Sequence, residues 1–211
     1  MPRKKRIWYP GATYHVISRG NRQSTIFRDR LDYWYFLEVM RTVREKYPFV
    51  IHSICLMTNH FHVLVETKDT DLSRIMQKVL SVYAEEFNYR HHLTGHLFQG
   101  RYRAILVKNE KYFLEVSRYI HLNPVKAQMV KTPGEYKYSS YGVFVQEERG
   151  QSNSKIEMLL WELVETPRVL GCFLDESREQ YRMFVEGKIP HTEEEQQIMK
   201  EAGENELWLP L

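Results

Sequence analysis

The chain has little cysteine and no long apolar run. Its 211 residues include only two cysteines, Cys55 and Cys172, which lie far apart in apolar surroundings. This argues against a disulfide framework and against a cysteine-type zinc site. No apolar stretch approaches the roughly 20 residues of a membrane span, and the basic start lacks the apolar middle of a signal peptide. We therefore expect a cytoplasmic protein without a membrane partner.

Charge is distributed unevenly along the chain. The net charge is only +3, but residues 1–145 carry +11 and residues 146–211 carry −8. A basic segment is typical of a protein that binds a phosphate backbone, although basic surface can also serve solubility alone. We predict a nucleic-acid-binding domain over 1–145, associated with the nucleoid, and an acidic helical C-terminal extension over 146–211.

The role of the extension is open from sequence: it could shield a basic groove, bind a partner or position a nucleic-acid hairpin. Helical periods cover 156–164 and 167–185, and an acidic stretch covers 193–201. Trp208 and its apolar neighbours are expected to dock onto the body of the protein. We predict two or three helices packed on the core.

Hydrophobic periodicity in the first 110 residues predicts an α+β fold. The predicted segments, in chain order, are a strand over 12–18, a helix over 29–46, a hairpin over 49–66 that turns at Thr58 and Asn59, a helix capped by Asp71 and a strand over 102–107. This order predicts a ferredoxin-like or RRM-like four-stranded antiparallel sheet with two helices on one face.

Two histidines lie two residues apart in the second strand of the hairpin. His60 and His62 therefore share one face, whereas Phe61 and Val63 point into the core. Two neutral imidazoles side by side favour a metal ion, and a purely structural role for both is the alternative.

A third helix brings further polar groups. Asn109 is its predicted N-cap, and Pro124 predicts its end at Asn123. Tyr119 and Asn123 are one turn apart and share a face. If this helix crosses the sheet face opposite the first two helices, Asn123 could complete the coordination of a metal held by the histidines. Tyr112, one heptad earlier, lies on nearly the same helix face as Tyr119.

Basic and polar residues cluster in three places that suit phosphate contacts. The first is a basic arm at residues 3–6, the second is a glycine-containing turn after the first strand that exposes backbone N–H groups, and the third is a segment near residue 100 in which aromatic residues alternate with arginines. A plain strand-end turn would look similar to the second of these. The candidate DNA-binding residues are Arg3, Lys4, Lys5, Arg6, His15, Arg19, Asn21, Arg22, Gln99, Arg101 and Arg103.

Four ordered motifs resemble the HUH single-tyrosine transposases, in particular the REP-associated branch. They are YHVISRGN at 14–21, LMTNHFHVLV at 56–65, HLFQGRYRAILV at 96–107 and RYIHLNPVKA at 118–127. The resemblance covers roughly 8–145 and implies that residues 1–145 form an HUH tyrosine transposase and nuclease domain with the third helix as its catalytic helix. It implies that His60 and His62 bind the metal, that Tyr119 is the nucleophile and that Asn123 is a third ligand. Tyr112 is the rival nucleophile. It also implies a substrate of single-stranded DNA with hairpins, cleaved and rejoined without an external energy source.

The expected cofactor is Mg²⁺ or Mn²⁺. Two imidazoles favour Mn²⁺ by ligand type, and Mg²⁺ is usually more available. Two other functions fit the same residues: an RRM-like nucleic-acid binder or repressor whose histidines are structural, and a metal phosphodiesterase that uses water. Whether the protein is a monomer or a homodimer, and which subunit Tyr119 serves, is open from sequence.

Overall fold

The computed structural model describes residues 7–150, 154–187 and 193–202. The predicted basic arm of Arg3, Lys4, Lys5 and Arg6 and the predicted docking of Trp208 lie outside the described residues.

A four-stranded antiparallel sheet forms the centre of the molecule, as predicted. The strands are β1 (Thr13–Arg19), β2 (Phe49–Leu56), β3 (His60–Thr67) and β4 (Arg103–Leu106). Their spatial order is β2-β3-β1-β4, with every neighbouring pair antiparallel. This order places β1 and β3, which carry the histidines, at the centre and β4 at one edge.

Two long helices, α1 (Arg30–Lys46) and α2 (Leu72–His91), cover one sheet face. Asp29 begins α1 with a capping box, because its side chain accepts from the N–H groups of Leu31 and Asp32. The apolar stripes of the helices meet the core-facing side of β3, where the ring centroids of Phe36 and Phe61 are 4.8 Å apart. The core predicted from the alternation in β3 is confirmed.

The third helix, α3 (Glu110–Lys126), crosses the opposite face of the sheet. Asn109 caps it as predicted, accepting from the Tyr112 N–H at 2.8 Å. The predicted end at Asn123 is wrong, because α3 runs through Pro124 to Lys126. A proline this close to the helix end removes only one backbone hydrogen bond, and the Ala127 N–H still reaches the Asn123 carbonyl at 2.9 Å.

The C-terminal extension is helical, as predicted, but has more pieces. After α4 (Tyr141–Val145) come α5 (Lys155–Leu163), α6 (Pro167–Leu170), α7 (Arg178–Glu186) and α8 (Glu193–Ala202). The single helix predicted over 167–185 is wrong, because it breaks between α6 and α7. Asp175 adopts a positive φ of 54° there, and Ser177 begins α7 by accepting from the Gln180 N–H at 3.2 Å.

The extension packs along both sides of the body. Helix α5 lies against α1, where the Arg44 guanidinium donates to the Leu163 carbonyl at 3.1 Å. Helices α7 and α8 contact α3 instead. Within the described part of the chain, no helix combines the length and the apolar character that crossing a bilayer requires.

Candidate active site

Strand register brings three histidines to the sheet face that α3 covers. In the β1–β3 ladder Ile17 lies opposite His62 and Arg19 opposite His60. Since paired residues point to the same side, His15, two residues from Ile17, joins this face. The ring centroids of His60 and His62 are 5.0 Å apart, as their two-residue spacing predicts.

Helix α3 places Tyr119 against two of these histidines, and Asn123 lies one turn further along the same helix. The Tyr119 ring lies edge-on to His62 and His15, with centroid distances of 5.8 Å and 6.0 Å. The Asn123 amide nitrogen donates to the Tyr119 carbonyl at 2.8 Å, so its oxygen is the atom that can accept or coordinate. Helical geometry therefore survives at Asn123 despite the following proline.

The Tyr119 side chain is only 1% exposed, and its hydroxyl has no hydrogen-bond partner among the described residues. Buried tyrosine hydroxyls normally find a partner, because an unpaired polar group in the interior is costly. An unpaired phenol beside two imidazoles is the pattern expected of a reactive group rather than of a packing residue.

Burial keeps the three imidazoles neutral at physiological pH. It lowers the pKa of His15 to about 3. Burial, with a smaller effect of the Arg19 charge, lowers the pKa of His60 to about 4. The pKa of His62 lies well below its ordinary value, first through burial and then through the neighbouring His60, His15 and Lys126. Neutral imidazoles are the form that binds metal ions.

The chemistry of the predicted donor set suits a divalent cation. His60 and His62 could supply imidazole nitrogens, and Asn123 could supply an amide oxygen from α3. A mixed set of two nitrogens and one oxygen suits Mn²⁺ and leaves room for solvent or phosphate oxygens, as Mg²⁺ also requires.

A second group of potential ligands, Asp29, Asp32 and His91, lies on the other side of the sheet. Arg90 pairs with both carboxylates, and both aspartates cap α1. This cluster is therefore an ion-pair network that ties α2 to the start of α1.

His15 is buried within the site, and its predicted phosphate contact stays a prediction. It is 0% exposed, and its Nε2 lies 3.0 Å from the Nδ1 of His62. The alternation in β1 correctly places His15 on the active face. However, α3 covers that face at His15, so the side chain meets its neighbours in the site rather than solvent.

The predicted turn after β1 and the segment near residue 100 form one surface, which we call the basic turn surface: residues 19–22 and 97–101. Backbone bonds join Asn21 N–H to the Leu97 carbonyl and Gln99 N–H to the Arg19 carbonyl, both at 2.8 Å. The Arg19 guanidinium also donates to Gln99 Oε1 at 2.7 Å. Asn21, Arg22, Gln99 and Arg101 are exposed. The structure therefore brings these predicted DNA-binding residues together beside His60.

Gly20 makes the sharp turn within this surface possible. A Cβ atom at this position would lie 2.0 Å from the Ser24 carbonyl oxygen. Only glycine therefore allows the backbone to pass there.

Arg103 lies apart from the basic turn surface, on the edge strand β4. Its guanidinium donates to the backbone carbonyl of Glu201 in α8 at 2.8 Å. The side chain is exposed, and its DNA contact stays a prediction.

Sequence reasoning missed Lys126. Its ammonium nitrogen lies 4.5 Å from the centroid of the Tyr119 ring. Lys126 is seven residues, or two helical turns, after Tyr119, and this spacing would have placed both on one helix face. The predicted helix end at Asn123 left Lys126 outside the helix, so the spacing was not used. Tyr112, the rival nucleophile, donates to Glu201 at 2.7 Å instead. The two tyrosines therefore have different surroundings: Tyr119 lies against the histidines, whereas Tyr112 is hydrogen-bonded to α8.

The chain is similar to known transposases. The sequence model of the family described as "Transposase IS200 like" matches residues 9–123. A Haemophilus influenzae protein named as a REP-associated tyrosine transposase is 25% identical over 118 residues, which are 50% of this chain and 66% of that protein. This chain therefore spans slightly less than two thirds of that relative's length.

A solved structure shares the fold. A REP-associated tyrosine transposase bound to a REP hairpin superposes with a TM-score of 0.58 at 19% identity, over 73% of this chain and 96% of the other. A Deinococcus radiodurans transposase gives a TM-score of 0.40 at 15% identity, over 56% and 95% of the two chains. The first match confirms the predicted architecture.

Proposed function

Because the chain belongs to the IS200-like transposase family, we propose that it cleaves and rejoins single-stranded DNA through Tyr119. The observation that carries this proposal is the buried phenol of Tyr119 against the imidazoles of His15 and His62. The resemblance supplies the type of substrate, since the solved relative is bound to a REP hairpin. We infer that hairpin-bearing repeats are the substrate of this chain too.

In the proposed reaction the Tyr119 oxygen attacks a backbone phosphorus. An O–P bond to tyrosine forms, the bond from phosphorus to the 3′ oxygen breaks, the phenol loses its proton and the 3′ oxygen gains one. The products are a 5′-phosphotyrosine and a free 3′-hydroxyl. The number of phosphodiester bonds is conserved, so attack by a 3′-hydroxyl can reseal the strand without ATP.

Residues His60, His62 and Asn123 would hold Mg²⁺ or Mn²⁺ in this site. When bound, such an ion polarises a phosphate oxygen and offsets the negative charge that builds in the transition state. The chain's own contribution is a rigid set of neutral donors, because burial holds both imidazoles unprotonated.

Lys126 and the basic turn surface supply fixed positive charge. The Lys126 ammonium lies beside the Tyr119 ring, where it would attract the phosphate under attack. Arg19 lies opposite His60 in the sheet, so a strand bound along residues 19–22 and 97–101 would pass directly beside the histidines. The tyrosine and histidines of a single chain lie together, which supports a nucleophile that serves its own subunit.

A second candidate is a nucleic-acid binder without catalysis. The 1% exposure of Tyr119 favours it, because the hydroxyl must become accessible before it can reach a phosphate. A binder would need only the basic turn surface.

The test is an SDS gel with end-labelled, hairpin-bearing single-stranded DNA in the presence of Mn²⁺. The proposal expects a covalent protein–DNA adduct that Tyr119→Phe abolishes. The matched control is Tyr112→Phe, which removes a hydroxyl from the same helix and should leave the adduct intact.

The alternative functions predict different bands on this gel. Tight DNA binding that survives EDTA and Tyr119→Phe, with no adduct and no cleavage, would favour the binder. Cleaved DNA without an adduct would favour a phosphodiesterase that uses water. An adduct that persists in Tyr119→Phe and disappears in Tyr112→Phe would move the nucleophile to Tyr112.

A further inference from the structure

Each of the two histidines proposed to bind metal has a fixed neighbour at its Nδ1 atom. The Nδ1 of His60 lies 2.7 Å from the side-chain oxygen of Asn59. The Nδ1 of His62 lies 3.0 Å from the Nε2 of His15. Both contacts are on the opposite side of the imidazole ring from Nε2.

The orientation of the Asn59 amide follows from its second contact. Its nitrogen donates to the backbone carbonyl of Gln23 at 3.3 Å, so its oxygen must be the atom that faces His60. An amide oxygen only accepts hydrogen bonds. The proton of neutral His60 therefore lies on Nδ1, and the lone pair that can bind a metal lies on Nε2.

His15 is placed to accept the Nδ1 proton of His62, as Asn59 accepts that of His60. It is fully buried, and its Nε2 lies where it can accept a hydrogen bond from the His62 Nδ1–H. The His15 proton then lies on its own Nδ1, which has no hydrogen-bond partner within the described residues. In this arrangement His62 also presents its lone pair at Nε2.

We propose that Asn59 and His15 are positioning residues that hold His60 and His62 in the Nδ1–H tautomer, so that both present Nε2 to a divalent cation. This inference rests on the proposed function, because it assumes the histidine pair as the metal site. Neither residue is placed as a metal ligand. Such outer partners typically change metal affinity about 10-fold to 100-fold.

Asn59 also ties the metal site to the basic turn surface. Its backbone carbonyl accepts from the Gly20 N–H at 2.8 Å, and its side chain holds the Gln23 carbonyl that follows the turn. Asn59 thus contacts the proposed metal ligand through its side chain and the basic turn surface through its backbone carbonyl.

The first test measures tautomers directly in the full-length protein without metal. Long-range ¹H–¹⁵N NMR spectra distinguish Nδ1–H from Nε2–H imidazole, and the His60→Gln and His62→Gln variants assign the signals. The proposal expects the Nδ1–H tautomer for both rings. An Nε2–H tautomer at either histidine overturns the role of its partner, whatever the activity of the protein.

The second test measures Mn²⁺ affinity without DNA, from the electron paramagnetic resonance signal of free Mn²⁺. Asn59→Leu removes the acceptor at nearly constant size and should weaken Mn²⁺ binding about 10-fold to 100-fold. Asn59→Asp keeps an acceptor oxygen and should restore affinity to within about threefold of the wild type. His15→Phe should weaken Mn²⁺ binding to the same extent as Asn59→Leu.

The matched control is Asn88→Leu. The Asn88 side chain also donates to a loop carbonyl, that of Gly95 at 3.0 Å, but it is remote from the site. It should leave Mn²⁺ affinity unchanged. Wild-type affinity in both Asn59→Leu and His15→Phe would overturn the inference, as would an Asn59→Asp variant no better than Asn59→Leu.

Different results would contradict the proposed metal site and the proposed positioning role of Asn59 and His15. If His60→Gln and His62→Gln bind Mn²⁺ as the wild type does, the proposed metal site is wrong. If those two variants lose Mn²⁺ while the Asn59 and His15 variants do not, the site stands and only the positioning role is wrong. Should Asn59→Leu not fold, the tautomer spectrum of the wild type still decides.

Discussion

The two sides of helix α3 both bury histidine and tyrosine, but they satisfy these groups differently. On the side facing β1 and β3, the Tyr119 hydroxyl and His15 Nδ1 have no hydrogen-bond partner among the described residues. On the other side, His121 uses both nitrogens, binding the Tyr181 hydroxyl at 2.7 Å and the Ser140 hydroxyl at 2.8 Å.

The second side is a closed polar network. The Tyr181 hydroxyl also meets Ser117 at 2.8 Å, and Ser117 meets Ser53 of β2 at 2.6 Å. This network links α7, α3 and the sheet, so it stabilises the helix that carries Tyr119. The comparison teaches that the hydrogen-bonded His121 and Tyr181 serve the fold, whereas the Tyr119 hydroxyl, which has no protein partner among the described residues, is the group we propose for chemistry.

The largest expected difference between the two sides concerns metal binding. His62→Gln should weaken Mn²⁺ binding by more than about 100-fold, because losing a ligand costs more than losing an outer partner. His121→Gln should leave Mn²⁺ affinity unchanged and lower the free energy of unfolding. Mn²⁺ titration and urea unfolding of both variants check this, and equal Mn²⁺ affinities would contradict the comparison.

Removing one tyrosine hydroxyl should have opposite consequences on the two sides. Tyr181→Phe leaves His121 and Ser117 short of a partner and should lower the free energy of unfolding by about 2–3 kcal/mol. Tyr119→Phe removes an unpaired buried hydroxyl and should be neutral or stabilising by up to about 1 kcal/mol. Urea unfolding without metal measures both, and an equal loss in the two variants would show that Tyr119 has a structural partner.

The buried histidines on both sides of α3 should lower the free energy of unfolding in mild acid. Burial lowers the pKa of His121 to about 3, as it does for His15, and lowers that of His60 to about 4. Unfolded imidazoles bind a proton below about pH 6.5 while the folded ones do not, so stability is constant above that pH and falls between about 6.5 and 4. Each histidine should contribute about 1–2 kcal/mol of loss at pH 5.

Urea unfolding from pH 7.5 to 5 in EDTA measures this loss. The range stays above the ordinary pKa values of carboxylates, so imidazoles dominate the change. His121→Gln should make the slope shallower. A slope unchanged in that variant would contradict a buried neutral His121.

The smallest expected effect is that of Lys126. Lys126→Met should slow adduct formation about 10-fold, since the half-buried ammonium is partly screened by solvent. Lys126→Arg should recover most of the rate. Lys131→Met, which removes an exposed lysine outside the site, is the control in single-turnover gels. Equal rates for Lys126→Met and Lys131→Met would exclude Lys126 from the reaction.

Much of the site was predictable because it depends on local periodicity. A two-residue spacing placed His60 and His62 on one strand face, and a four-residue spacing placed Tyr119 and Asn123 on one helix face. The order of strands and helices predicted the sheet. The motif resemblance then indicated the transposase family, which the family match confirms.

The predictions failed where contacts between segments far apart in the chain determine the local structure. Pro124 predicted a helix end, but packing and the Ala127 hydrogen bond extend α3 to Lys126. His15 was predicted on the correct face, yet its burial depends on how α3 crosses that face. The second contact of Asn59 depends on the turn at Gln23, which is 36 residues away.

The sequence by itself determined which residues share a face and the order of the secondary-structure elements, because backbone geometry repeats every two or 3.6 residues. Only the tertiary structure decided which of these faces meet, how deeply His15 and Tyr119 are buried, and that Lys126 and Asn59 belong to the site. Burial and hydrogen-bond partners depend on contacts between segments far apart in the chain, and no local pattern encodes them.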